Sequence, residues 1–323
     1  MREGCGESCE LPLVHMTLKG VTGCACGTLL LILLVQLLPY SACGQGNSGV
    51  VPDTSEAVGS AGRCKTMNLV VAGAGMVGSI GLLNEAWYTE YDRSTFHTFD
   101  DSGEWLQVDK AGHFFSAYTL GRWGHSAWGR CGTAKRQSVL IGGSLGLIFL
   151  SGVEILDGTS AGWGFSWSDM AANVAGAGLF MGQEALWDEQ RISVKFSART
   201  TPFAAQRPDL LGESLGERVL KDYNGQTIWL SGNVESLLSR SRVPDWLNIA
   251  VGYGAENMVT AFPEVNDGRY RQFYIAPDID LTRIRTKSSV VRTVLFVLNG
   301  IKVPLPGIEF TSTGRVIAHG IVF

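Results

Sequence analysis

The chain has 323 residues, enough for one large domain or two modest ones with an ample buried core. Charged residues make up 17%, Gly reaches 41 residues and mean hydropathy is +0.12, a balance drier than a typical cytosolic enzyme and wetter than a polytopic transporter. A net charge of −4 with no clustered basic patch argues against nucleic acid as a main partner.

In chain order, the first feature is an address. From Met16 the sequence reads MTLKGVTGCACGTLLLILLVQLLPYSACGQ, with Lys19 ahead of an apolar run from Gly27 to Leu38 and small residues at Ser41, Ala42, Cys43 and Gly44. That order predicts a secretory signal over residues 1–44 and a cell-envelope location, inner or outer membrane left open. Residues 1–15 carry acids that suit the charged region poorly, so Met16 is the expected start. Two processing routes compete. In one, Tyr40-Ser41-Ala42-Cys43 is a lipobox and Cys43 is the lipidated first residue; in the other, cleavage follows Gly44. An uncleaved anchor is the third choice, the run being short for a span. Residues 45–63, rich in Gly, Ser and Pro, read as a flexible linker. Beyond residue 43 only Cys64 and Cys131 remain of the cysteines. They match no zinc spacing, and either one disulfide or two buried thiols fits them.

Residues 64–187 read as a helical, membrane-associated module. Met67 to Leu83, Lys110 to Leu120, Val139 to Leu156 and Asp169 to Leu186 are the four predicted segments. Gly73, Gly75, Gly78, Gly176, Gly178 and Gly182 are expected to let helices approach closely, as in membrane packing. Gly73-Ala74-Gly75-Met76-Val77-Gly78 has the form of a dinucleotide-binding loop. No βαβ series follows it, so packing glycines explain it better and no cofactor is expected.

Ionisable residues inside these apolar segments are the strongest chemical signal. On a helix Asp109, Lys110 and His113 fall at neighbouring positions. Glu154 and Asp157 end the third segment. Ser166 and Asp169 have capping-box spacing, and Asp169 shares a face with Asn173. If the helices pack together, Asp109, Lys110, His113, Glu154, Asp157, Asp169 and Asn173 converge and must bond each other, a metal or a ligand. Three readings stay open. The residues cap and pair, Lys110 with Glu154; or they process a polar headgroup with His113 as acid or base; or His113 and two carboxylates hold a divalent metal.

These residues also carry a likeness. NEAWY (84–88), FHTFDDSGEWLQVDKAGHFFSAY (96–118) and EILDG followed by GFSWSDMAANVAGA (154–177) resemble the YfiM-like predicted-lipoprotein family, with Leu220 to Ser231 and Trp246 to Met258 resembling its longer members. The pattern D-K-x-x-H-F, a carboxylate ending the next helix, then S-x-x-D-x-x-x-N-x-x-G is similar to VanZ-like membrane proteins, which are polytopic whereas these helices are shorter. The first likeness implies location and architecture, the second a tie to envelope glycans or lipids. Neither supplies a catalytic residue to carry over, and no H-E-x-x-H or P-loop is present.

Residues 188–323 read as a β-rich module. Ser214 and Glu217 form a capping box, and Asn224-Gly225 is a turn ahead of Thr227 to Leu230. Leu247, Ile249, Val251 and Tyr253 alternate with Asn248, Ala250 and Gly252, the apolar set expected to be the buried one. Phe273 and Ile275 alternate likewise. Val290 to Leu298 reads as a helix stopped by Asn299-Gly300, and Ile308 to Phe310 with Val316 to Phe323 as a final hairpin. The terminal Phe323 resembles the end of an outer-membrane barrel strand, but five or six strands fall short of the eight such a barrel needs, favouring a small sheet packed on the bundle. Trp229, Trp246, Tyr253, Tyr270 and Tyr274 are expected to be exposed.

The expectation is therefore an α+β chain: a bundle of about four apolar helices, then a smaller β-rich module with two short helices. Its expected role is structural or ligand-binding at membrane lipid, with an envelope protein as a further candidate partner. The alternative is an enzyme acting on a lipid-linked or glycan substrate through the His/carboxylate cluster.

Overall fold

The computed structural model describes residues 54–84, 88, 91–238, 243–262 and 268–323. The export segment and Cys43 lie outside the described residues. Helix α1 runs Thr54–Leu83, so the second half of the expected linker is helical instead. Its run of Leu, Val, Met and Ala dominates the few Gly and Ser that suggested a linker.

Helices α2 (Val108–Arg130), α3 (Lys135–Gly158) and α4 (Trp167–Trp187) pack against one another. Contact is closest at glycines. A Cβ on Gly142 would meet the backbone of Gly121 and His125, one on Gly146 that of Ala117, and one on Gly176 that of Phe114. The predicted close-packing glycines Gly73, Gly78, Gly178 and Gly182 instead face open space. The segment resembling a dinucleotide loop is the middle of α1, preceded by helix from Thr54. Tyr118, Val139 and Phe180 centre the bundle core together with Val194 and Ile228 from the sheet. A disulfide between Cys64 and Cys131, Cα atoms 5.5 Å apart, fastens α1 to the end of α2. Otherwise α1 presents Leu69, Val70 and Val77 to the outside. By length and composition alone, Gly59–Leu83 and Lys135–Gly158 are long and apolar enough to cross a membrane.

Six strands follow as an antiparallel meander in the order β1 to β6: Ile192–Ala198, Gln226–Asn233, Leu247–Glu256, Tyr270–Ile279, Leu305–Thr311 and Val316–Val322. Among the described residues four short helices interrupt it where two were expected: α5 (Pro208–Leu211), α6 (Leu215–Lys221), α7 (Val234–Leu238) and α8 (Ser289–Leu298). Ser214 and Glu217 form the reciprocal capping box of α6. Residues 300–302 return to the free edge of β1, where Phe196 N donates to the Gly300 carbonyl at 2.8 Å and Lys302 N to the Phe196 carbonyl at 2.9 Å.

The sheet is inverted relative to expectation. Register aligns Val194, Leu230, Val251, Ile275, Ile308 and Ala318 across all six strands, and beside them Phe196, Ile228, Tyr253, Phe273, Phe310 and Val316. On this face the helices cover the part at β1 and β2, while Ile249, Val251, Phe273, Ile275, Ile308 and Phe310 are exposed. The opposite face is buried and polar: Ser193, Lys195, Thr227, Ser231, Asn248, Gln272, Asp278 and Glu309. Trp229 and Tyr274, expected outside, belong to this interior, where Gly252 leaves room for the indole. Lys195 Nζ pairs with Asp278 Oδ2 at 2.7 Å, both side chains fully buried, and donates to the Ile279 carbonyl at 2.7 Å.

Candidate functional site

The polar residues picked out in the sequence gather at one end of the bundle, where α2 begins, α3 ends and α4 begins. The entry to α2 is a distorted turn: Trp105, Leu106 and Gln107 have φ of 47°, 50° and 66°. Three consecutive side chains in the left-handed region persist only where the surroundings over-determine them. Trp105 and Leu106 are buried in a cluster with Val108, Leu211 and Met258, and the Tyr253 hydroxyl donates to the Leu106 carbonyl. Gln107 is held by Ser102 and by Arg271 from β4. The sheet thus fixes the start of α2, and with it Asp109 and Lys110.

The Lys110 ammonium is the hub. It lies 2.6 Å from Asp101 Oδ2, 2.7 Å from Asp109 Oδ2 and 3.1 Å from Asp169 Oδ1. Glu154, its expected partner, is not among its ion pairs; that carboxylate takes the Ser166 amide instead, N to Oε2 at 3.1 Å. Ser166 caps α4 as predicted, accepting from Asp169 N at 3.0 Å, but the Asp169 side chain turns to Lys110 rather than completing a box. Asp101 accepts from Ser166 Oγ at 2.6 Å and Ser168 Oγ at 2.7 Å. No helical spacing pointed to Asp101, because it sits in the loop before α2; the FDDSG turn ahead of the D-K pair was its only signal.

His113 lies beside this hub. Its Nδ1 is 3.1 Å from Asn173 Oδ1, an acceptor, so this nitrogen carries the donated proton in that bond. Nδ1 is also 3.7 Å from Glu154 Oε1, and Nε2 is 3.9 Å from Asp169 Oδ2. The Glu154 side chain is 1% exposed, and its Oε1 has no hydrogen-bond partner among the described residues, nor has the buried Asn173 Nδ2 or Asp109 Oδ1. Asp157 stands one turn beyond Glu154 and accepts from the Tyr88 hydroxyl at 2.6 Å, at the margin of the group.

Carboxylates outnumber cations here, and their protonation reflects it. Burial works against the Asp101 charge, yet hydrogen bonds from Lys110, Ser166 and Ser168 hold its carboxyl down at about 2. Burial pushes Asp169 up to about 6 despite His113 and Lys110, and pushes Glu104 up to about 7 with help from Asp101. Lys110 is held above its ordinary value because Asp109 and Asp169 outweigh its own burial.

Two sets of ligand atoms lie within 4.8 Å of one another: His113, Glu154 and Asp169, and Asp101, Asp109 and Asp169. The second already has the Lys110 ammonium at its centre. The first has none. The cavity of about 450 Å³ lined by Asp245, Trp246, Ile279, Arg283, Ile284 and Arg285 shares no residue with the cluster.

Residues 97–182 match the model of a family described as a predicted periplasmic lipoprotein (DUF2279). The match begins at His97 and ends in α4, so it takes in every cluster residue except Tyr88 and none of the sheet. Neither a curated protein nor a solved structure matches the chain. The likeness supports an exported cell-envelope protein of predicted-lipoprotein kind, the location expected from residues 16–44.

Proposed function

We propose that this envelope protein is membrane-associated and that its helical bundle binds a divalent cation between His113, Glu154 and Asp169. The observation carrying this reading is the Glu154 carboxylate, fully buried with one oxygen bonded and the other unpartnered. An uncompensated buried charge is costly unless it is protonated or paired. Lys110 is already committed to three aspartates. A cation between Glu154, Asp169 and the imidazole neutralises what Lys110 leaves over. One nitrogen and two carboxylate donors suit a borderline first-row metal better than calcium, which prefers oxygen alone.

The three residues come from α2, α3 and α4, so the cation would also tie the helix ends together. The likenesses to YfiM-like and VanZ-like proteins agree with an envelope setting for such a site. His113 is the most open of the three, its side chain 21% exposed against 1% for Glu154 and 9% for Asp169. Access for a small ligand therefore comes from the His113 side.

Titration calorimetry of the full chain, stripped with chelator and given Zn²⁺ or Mn²⁺ in turn, tests the site. One equivalent bound by the wild type, and lost in both Glu154→Gln and His113→Ala, is expected. No binding, or unchanged binding in both variants, contradicts the proposal.

A further inference from the structure

The inverted sheet calls for a partner on its outside. In a soluble sheet with one covered face, apolar residues turn inward and polar ones outward. Here alternation is preserved but its sense is reversed over β2 to β6. The inward side holds Lys195, Asp278, Gln272 and Glu309, satisfied by one another: Ser231 Oγ donates to Asp278 Oδ2 at 2.6 Å and Gln272 Nε2 to Glu309 Oε1 at 2.9 Å. Satisfied polar interiors of this kind fix the sense of the sheet, since flipping it would break every one of these bonds.

We infer that the outward face of β3 to β6 lies against the hydrocarbon of a lipid bilayer. Three observations select lipid over a protein partner. The two apolar rows cross all six strands without a charged residue, from Val194 to Ala318 and from Phe196 to Val316. Protein interfaces carry a polar rim and scattered hydrogen-bonding groups, which these rows lack. The central strands β3 and β4 have ten residues each, within the roughly 9–11 that a tilted strand needs to cross a hydrocarbon layer. Their ends carry the residues that favour headgroups: Trp246 with Arg283 and Arg285 at one end, Tyr270 with Arg271 at the other. A sheet with this sense is the arrangement of membrane strands, apolar out and polar in. Here the bundle is packed over the same face at β1 and β2, and residues 300–302 pair with the free edge of β1. This inference does not rest on the cation site.

Photolabelling of the wild-type full chain in phosphatidylcholine vesicles with acyl-chain diazirine lipid tests it, adducts being located by peptide mass spectrometry. Adducts at Val251, Phe273, Ile275 and Phe310, absent from Gln272 and Glu309, are expected. A Val251→Arg/Ile275→Arg double variant is expected to lose at least tenfold in these strand adducts, with labelling of α1 kept as the sign that the chain is still inserted. Lipid adducts confined to α1 and α3 would overturn the inference, as would cross-links between copies through the sheet face in place of lipid adducts.

Discussion

His113 Nδ1 lies 3.7 Å from Glu154 Oε1 while the other Glu154 oxygen accepts the Ser166 amide at 3.1 Å. One carboxylate therefore ties the end of α3 to the start of α4 and keeps its second oxygen turned toward the imidazole of α2. Replacing it by its neutral isostere separates the two roles. Burial, with Asp169 and Asp157 nearby, pushes the Glu154 carboxyl up to about 8, so in metal-free protein Glu154→Gln is expected to leave stability nearly unchanged in urea unfolding at pH 6 and to raise it above pH 8, where the wild type must carry a buried charge. With Zn²⁺ present the order reverses, since only the wild type gains binding energy.

Lys110 is expected to behave in the opposite way. Lys110→Met leaves Asp101, Asp109 and Asp169 without their shared ammonium, and breaking a buried pair from one side costs about 3–5 kcal/mol. Calorimetry should show the bundle melting well below the wild type. An unchanged melting temperature would mean that the three aspartates are solvated or protonated and that Lys110 is not the hub.

Stability should vary with pH in two directions. Glu104 is raised from 4.5 to about 7 and Asp169 from 3.8 to about 6 in the folded chain, so folding takes up protons between the two values of each. Metal-free protein therefore gains stability as pH falls from 8 toward 5. Asp101 is lowered from 3.8 to about 2, and its contribution, present above 3.8, is lost as pH falls through that window. A melting temperature that rises from pH 8 to 5 and drops below pH 4 is the expected profile. A steady fall from pH 8 downward would contradict it.

The Cys64–Cys131 disulfide spans 67 residues of chain and is the main covalent hold on α1. Closing a loop of that length is worth about 4 kcal/mol in the chain-entropy account. A Cys64→Ser/Cys131→Ser variant should keep the α2–α4 bundle while releasing α1. Limited proteolysis then cuts near residue 84 at least tenfold faster than in the oxidised protein. Equal cutting rates would show that packing alone holds α1.

Much of this was legible in the residues. The four bundle helices, α8 and the positions of β2 to β6 followed from periodicity, because a period of 3.6 or 2 is set by backbone geometry whatever surrounds the element, whereas β1, α5 and α7 were not foreseen. What periodicity does not contain is which side faces which medium. Leu247, Ile249, Val251 and Tyr253 alternate identically whether they point to a core or to an apolar exterior, so the sheet was read inside out. The cluster was legible where its members lie on helices, as with Asp109, His113 and Asn173. It was missed at Asp101, which reaches Lys110 from a loop, and misassigned at Glu154, whose amide partner depends on how α3 meets α4.

The most direct test of the cation site is anomalous scattering at the zinc edge from a crystal of the full chain grown with Zn²⁺. A single strong peak about 2.0–2.2 Å from a His113 ring nitrogen and from oxygens of Glu154 and Asp169 is the predicted result. No peak there, or one at the Lys110 hub in place of the ammonium, would contradict it.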